Sequence, residues 1–232
     1  TRRDAYAIQD RMAELIGGPV AGWKVGATVR AVQIFEGHDA PLPGRIFADR
    51  LFESSARVPA RWFRGAKVEC EFAFRLTRAL PAGRDPVTVA MLADALTFHP
   101  AIEIAATRYA PGTGNRAATT FDGIADNGGA GAAVIGAAVA AWHALPFETM
   151  PIIACLDGSP PIQIYTGAYR RPPVEIMAET LTELRSRGVA IELPSDHLCA
   201  IEFAETAKPV AVDSIDIPPG LMALDIGPKT RE

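Results

Sequence analysis

Cysteine is scarce in this chain: Cys70, Cys155 and Cys199 are the three in 232 residues, an odd number with no CxxC pair. That spacing excludes a disulfide framework and a cysteine-ligated metal site, and the thiols read as buried groups in a reducing compartment. A basic surplus is also missing. The net charge of -4 and isoelectric point near 5.6 leave no basic stripe for nucleic acid and no polybasic segment for a membrane surface. Long apolar runs are absent too, since the most apolar stretch, GGAGAAVIGAAVAAW at 128–142, is too short and too rich in small residues to span a bilayer. The N-terminus carries no signal-peptide pattern. The expectation is a cytoplasmic protein whose partner is a small molecule, not nucleic acid or membrane.

Hydrophobic residues make up 49% of the chain and charged residues 22%, the balance of a globular chain long enough to bury a core. With no repeat, low-complexity tract or clear linker, 1–232 reads as a single catalytic domain, with 1–60 an N-terminal helix and loop region packed on it. Asp4 to Ile16 has helical apolar spacing and ends at Gly17-Gly18-Pro19. VAGWKVGA at 20–27 is strand-like and encloses Lys24 in unusually apolar company. Phe35 to Arg61, with Gly37, Pro41, Pro43 and Gly44, predicts a long functional loop. Asp85-Pro86 predicts the start of a helix that ends near Leu96, with Pro100 as its stop. MPIIACL, Asp157-Gly158 and PIQIYTG predict a hairpin, and Val174 to Arg187 another helix. The order of strands and helices predicts an α+β fold.

KVECEFAFRL at 67–76 carries the chemistry. In a strand, Val68, Cys70, Phe72, Phe74 and Leu76 share one face, and Lys67, Glu69, Glu71, Ala73 and Arg75 share the other. Two carboxylates roughly 6–7 Å apart repel by roughly 2–3 kcal/mol at an effective dielectric of about 20. Two readings are open: a solvated strand face on which Lys67 and Arg75 offset the charge, or a cradle for a hard divalent cation. AIEIA at 101–105 adds a third strand carboxylate, Glu103. Three carboxylates around one ion leave coordination positions for a 2-oxo acid, whose enolate the ion would stabilise, and a buried lysine such as Lys24 could transfer the proton.

With AYAIQ at 5–9, GWKVGAT at 22–28, ECEFAF at 69–74, AIEI at 101–104, ADNGG at 125–129, and LDG with TG within 156–167, the chain resembles the 2-keto-4-pentenoate hydratase and 4-oxalocrotonate decarboxylase group of the fumarylacetoacetate hydrolase superfamily. The resemblance implies a rolled, mixed β-structure with helices packed outside it, like that superfamily's C-terminal domain, commonly assembled as homo-oligomers. It implies Mg²⁺ or Mn²⁺ on Glu69, Glu71 and Glu103, with Lys24 relaying a proton or holding the substrate carboxylate. Asp126 matches a position near the pocket, where a turn aspartate bonding backbone amides is the other reading. Arg108 is a weaker candidate for a substrate carboxylate, with pairing to an acid as its other reading.

The implied activity is that of a lyase of aromatic compound catabolism, hydrating a 2-hydroxy-2,4-dienoate or decarboxylating an oxalocrotonate-like acid. Two alternatives stand beside it: an acylpyruvate-type hydrolase using His38 and Glu36, or a non-catalytic metal and 2-oxo-acid-binding relative. CAIEF at 199–203 departs from the group's small-residue turn, and Ile201, Glu202 and Phe203 are expected to narrow or repolarise the pocket.

Overall fold

The computed structural model describes residues 1–37, 39–54, 56–63, 66–80, 83–110, 119–150, 152–154, 162–165, 171–189, 198–202, 208–209 and 214–216. Its centre is a mixed sheet with strand order β2-β1-β10-β5-β6-β7-β3, formed by β1 (Val20–Gly26), β2 (Leu42–Phe47), β3 (Leu51–Glu53), β5 (Lys67–Leu76), β6 (Leu96–Ala105), β7 (Ala130–Ile135) and β10 (Leu198–Glu202). β10 runs parallel to β1 and antiparallel to β5. β4 (Arg57–Pro59), β8 (Ile152–Ala154), β9 (Ile162–Tyr165), β11 (Lys208–Pro209) and β12 (Ser214–Asp216) make smaller pairings. This is the expected α+β class. No helix among the described residues is long and apolar enough to cross a membrane.

β5 shows why the sheet has two different faces. Phe72 and Phe74 are fully buried and pack with Phe98, Trp142 and Phe147 against α5 (Pro173–Ser186), whose Ile176, Met177, Leu181 and Leu184 complete that core. Edge-to-face contacts at 5.0–5.6 Å join Phe72 to Phe98 and Phe147. The opposite face is buried as well: Ala73 packs with Ile46, Ala101, Ala133 and Ile135 inside the roll. Around Glu69 and Glu71 the solvated face allowed by the sequence is therefore absent and the glutamates point into protein, while Lys67 at the end of the same face stays exposed.

α1 spans Arg2–Ile16, two residues longer at its start than its apolar spacing suggests. Thr1 caps it, and Asp4 closes a capping box. Gln9 is fully buried and donates to the carbonyls of Pro43 and Ile124, tying the helix to β2 and to α4 (Thr120–Ala125). The strand-turn-strand expected around 152–165 pairs as a hairpin, although its turn, including Asp157 and Gly158, lies outside the described residues.

Two expectations are corrected. The segment 35–61 is not one loop, because α2 (Arg30–Glu36) reaches into it and β2, β3 and β4 occupy much of the rest. Pro43 and Gly44 suggested a turn, but β2 is an edge strand, where a missing N–H costs no ladder bond. The helix expected from 85 to 96 shrinks to α3 (Val89–Leu92), capped by Thr88, and Leu96 opens β6. Pro100 lies inside that strand and does not stop a helix. Its carbonyl accepts from Gly136, so its nitrogen faces the side on which β7 has already ended, and pairing to β5 runs unbroken from Leu96 to Ala105.

His99 is 9% exposed on β6. Its Nδ1 lies 2.9 Å from the Gly136 carbonyl, which only accepts, so Nδ1 carries the proton and Nε2 accepts from Thr97 Oγ1 at 3.0 Å. Burial holds the imidazole below its ordinary value of 6.5. The unfolded chain therefore binds this proton more readily, and the contribution of His99 to stability is complete above about pH 6.5 and declines as pH falls below it. Denaturant titrations at pH 7.5 and 5.5 should show a smaller pH-dependent loss for His99→Gln than for the wild type.

Candidate metal centre

Antiparallel register sets Glu69 of β5 directly opposite Glu103 of β6, and Glu71 stands opposite Ala101 on the same face. One carboxylate oxygen from each of Glu69, Glu71 and Glu103 lies within 4.8 Å of the others. All are buried, at 7%, 2% and 1% exposure respectively. Lys24, 5% exposed on β1, brings Nζ to 3.6 Å from Glu103 Oε2. Arg75, expected to offset the pair, turns away to Glu53 at 2.7 Å.

With all three carboxylates ionised against one ammonium, the buried cluster would carry a net charge of -2, and like charges removed from water are costly unless a cation joins them. An all-oxygen donor set suits Mg²⁺ or Mn²⁺, and a divalent ion brings the sum to zero. The residues present fit such an ion.

The ADNGG turn holds the lysine side of this cluster. Asn127 exchanges hydrogen bonds with the Arg45 backbone, its Oδ1 accepting at 2.6 Å and its Nδ2 donating at 2.8 Å. Gly44 stands opposite Lys24 in the β1–β2 register, and a Cβ there would lie 2.1 Å from the Asn127 carbonyl oxygen. Gly128, at φ 65°, passes beside the Lys24 stem, where a Cβ would meet Cδ at 3.2 Å. Close approach to Lys24 thus explains Gly128 of the motif, and the left-handed φ of 71° explains Gly129.

Asp126 accepts from Thr107 Oγ1 at 2.8 Å and from the Arg108 amide at 3.0 Å, which fastens the chain leaving β6. The Arg108 guanidinium donates to the carbonyls of Asp126 and Ala130 at 2.9 and 2.6 Å and lines a second cavity, which Glu103 of the cluster also borders. The structure therefore brings together Lys24, Glu69, Glu71 and Glu103, and places Asp126 with Arg108 as a separate pair. His38 and the Glu36 side chain lie outside the described residues, as do the side chains of 199–203, whose backbone forms β10 as far as Glu202. Burial pushes the Cys70 thiol, between Glu69 and Glu71 in sequence, up to about 12, which makes it a packing group.

A cavity of about 660 Å³ opens beside Lys24 and Glu69, bounded by Ala27, Phe35, Leu42, Lys67 and Thr107 among others. Phe35, 90% exposed on α2, and Lys67 were not singled out as site residues by sequence. Only the alternation of KVECEFAFRL, which sets Lys67 on the carboxylate face, signalled the latter.

The 4-oxalocrotonate decarboxylase of Pseudomonas putida G7, complexed with magnesium and adipate, superposes with a TM-score of 0.74 over 91% of this chain and 79% of its own, at 21% identity. The same enzyme with calcium and acetate gives 0.74 at 20% identity, over 92% and 80% of the two chains. A fumarylacetoacetate hydrolase family protein from Yersinia pestis CO92 gives 0.51 at 10% identity, over 83% and 84%. The chain shares the fold of these solved structures, one of which is a fumarylacetoacetate hydrolase family protein.

No protein family model matches the chain. Curated sequences match only a short stretch: phosphoglycerate kinase of Treponema pallidum is 50% identical over 52 residues, 22% of this chain and 12% of the kinase. The cytosolic phosphoglycerate kinase of Leishmania mexicana is 42% identical over 57 residues, 25% of this chain and 14% of its own. The chain thus spans about an eighth of the length of these kinases, too little to carry their activity across.

Gly44→Ala should drive a methyl group into the Asn127 carbonyl and cost about 1–3 kcal/mol, the range for overpacking a filled site. Chemical denaturation compared with wild type checks this, and an unchanged midpoint would contradict the close approach.

Proposed function

We propose that the chain is a divalent-metal-dependent lyase acting on short 2-oxo acids, hydrating a 2-hydroxy-2,4-dienoate or decarboxylating an oxalocrotonate-like acid. One observation carries the reading: three buried glutamates whose oxygens converge within 4.8 Å, with a buried lysine beside them. The solved decarboxylase of the same fold, complexed with magnesium and with the diacid adipate, supports the metal and the decarboxylase branch.

Glu69, Glu71 and Glu103 hold the ion, Mg²⁺ or Mn²⁺, in this reading. When bound, the ion supplies Lewis acidity toward the carboxylate and keto oxygens of a 2-oxo acid. Lys24 contributes the mobile proton at Nζ and a positive charge for the substrate, since its stem is fixed between Gly44 and Gly128 and its ammonium lies at the cluster. The burial of all four side chains limits water around the reacting acid and strengthens each charge interaction there. Asp126 and Arg108 act at one remove, by fixing the Ala106–Thr107 segment that borders the cavity.

Thermal melting with Mg²⁺ alone, oxalate alone and both together tests the reading, because oxalate mimics an enolised 2-oxo acid. A shift larger with both than the sum of the separate shifts is expected, about 2.7 kcal/mol at a hundredfold excess of ligand over its dissociation constant. No shift under any condition would refute it. Glu69→Gln and Glu103→Gln should each remove Mg²⁺-dependent turnover of a dienoate or oxalocrotonate substrate while circular dichroism stays native, and undiminished turnover in either variant would contradict the assigned ligands.

A further inference from the structure

The cavity beside Lys24 and Glu69 carries few charges on its wall. Its charged lining residues, among those described, are Lys24, Lys67 and Glu69. Lys24 is committed to Glu103 at 3.6 Å, and Glu69 belongs to the carboxylate cluster. Thr107 and Thr119, also on the wall, turn their hydroxyls to Asp126 and Asp122. The Lys67 side chain has no salt bridge or hydrogen bond among the described residues and is exposed at the cavity wall.

Its position is fixed by the strand. Lys67 precedes Glu69 by two residues on the same face of β5, which places the two Cα atoms roughly 6–7 Å apart along the strand. Lys67 stands opposite Ala105 at the far end of the β5–β6 ladder, so on the β6 side its cross-strand neighbour is small, and Pro209 of β11 pairs with it on the other side. Besides these charges the wall carries the small or apolar side chains of Ala27, Phe35, Leu42, Ala105 and Ala106 and the hydroxyls of Thr107, Thr119 and Thr120. A molecule held at the glutamates by its 2-oxo acid end would run along an uncharged wall and meet a cation.

We propose that Lys67 recognises a second carboxylate at the far end of the substrate, making the site selective for short 2-oxo dicarboxylates over the corresponding monocarboxylates. The inference rests on the metal-dependent 2-oxo-acid reading and narrows its substrate class. An ammonium on a flexible stem suits the task, because it meets a carboxylate as a point charge and adjusts to diacids of somewhat different length. The interaction is partly exposed, so its strength is that of a charge-assisted hydrogen bond, roughly a tenfold change in affinity.

Calorimetric titration of the Mg²⁺-loaded full chain with 2-oxoadipate, 2-oxohexanoate and oxalate tests the assignment. Wild type should bind 2-oxoadipate about tenfold tighter than 2-oxohexanoate. Lys67→Met should erase that preference by weakening only the diacid, Lys67→Arg should keep it, and oxalate, too short to reach Lys67, should bind all three proteins alike. Equal affinity of wild type for the two six-carbon acids, or parallel weakening of all ligands by Lys67→Met, would overturn the role of Lys67. Failure of oxalate itself to bind wild type with Mg²⁺ would instead overturn the metal reading on which it rests, and this proposal with it.

Discussion

Three carboxylates are buried against one ammonium at the centre of this fold, and much of the rest of the structure is arranged to make that tolerable. Glu71 and Glu103 are less exposed than several core alanines, Glu69 is buried as well, and the sheet rolls so that their face is interior. Isolated buried charge is among the costliest features a protein can carry. The aromatic core on the opposite face, where Phe72, Phe74, Phe98 and Phe147 interlock with α5, supplies the packing that holds β5 and β6 in register despite the repulsion across it. Register in turn fixes the site, because slipping β5 by one residue would put Cys70 and Phe72, or Val68 and Cys70, where the glutamates stand.

The lysine side is built as tightly. Lys24 stands between two glycines whose missing side chains admit the Asn127 carbonyl and the turn that follows it, and Gln9 anchors the first helix to the carbonyls of Pro43 and Ile124. Asp126, Asn127 and Gly128 thus act on three different elements, β6, β2 and β1, from one short turn. A substitution in that turn displaces the ammonium as well as the loop.

Period-two alternation made the glutamates and their shared face legible in the sequence, and the apolar neighbours of Lys24 marked it as buried. What alternation left open was whether the charged face met water or protein, since that depends on the roll of the whole sheet. Pro100 and the Pro43-Gly44 pair misled for one reason: a proline breaks a helix anywhere, but a strand accepts it wherever the adjacent ladder is absent, which only tertiary pairing reveals. The opening of α1 was placed late because its cap, Thr1 with Asp4, precedes the apolar periodicity. Lys67 was read as a neutralising charge for the glutamates, and the cavity gives it a different setting. The superfamily resemblance anticipated the fold found in the solved decarboxylase, while the short match to phosphoglycerate kinases was not foreseen.

The central claim is that the glutamate cluster is a cation site. Crystals grown with Mn²⁺ and measured near the manganese absorption edge test it most directly, because the anomalous signal locates the ion independently of any activity. The account predicts a single strong peak between the carboxylates of Glu69, Glu71 and Glu103, lost in Glu71→Gln. Manganese absent from that position, with the three carboxylates held only by protein groups, would contradict it.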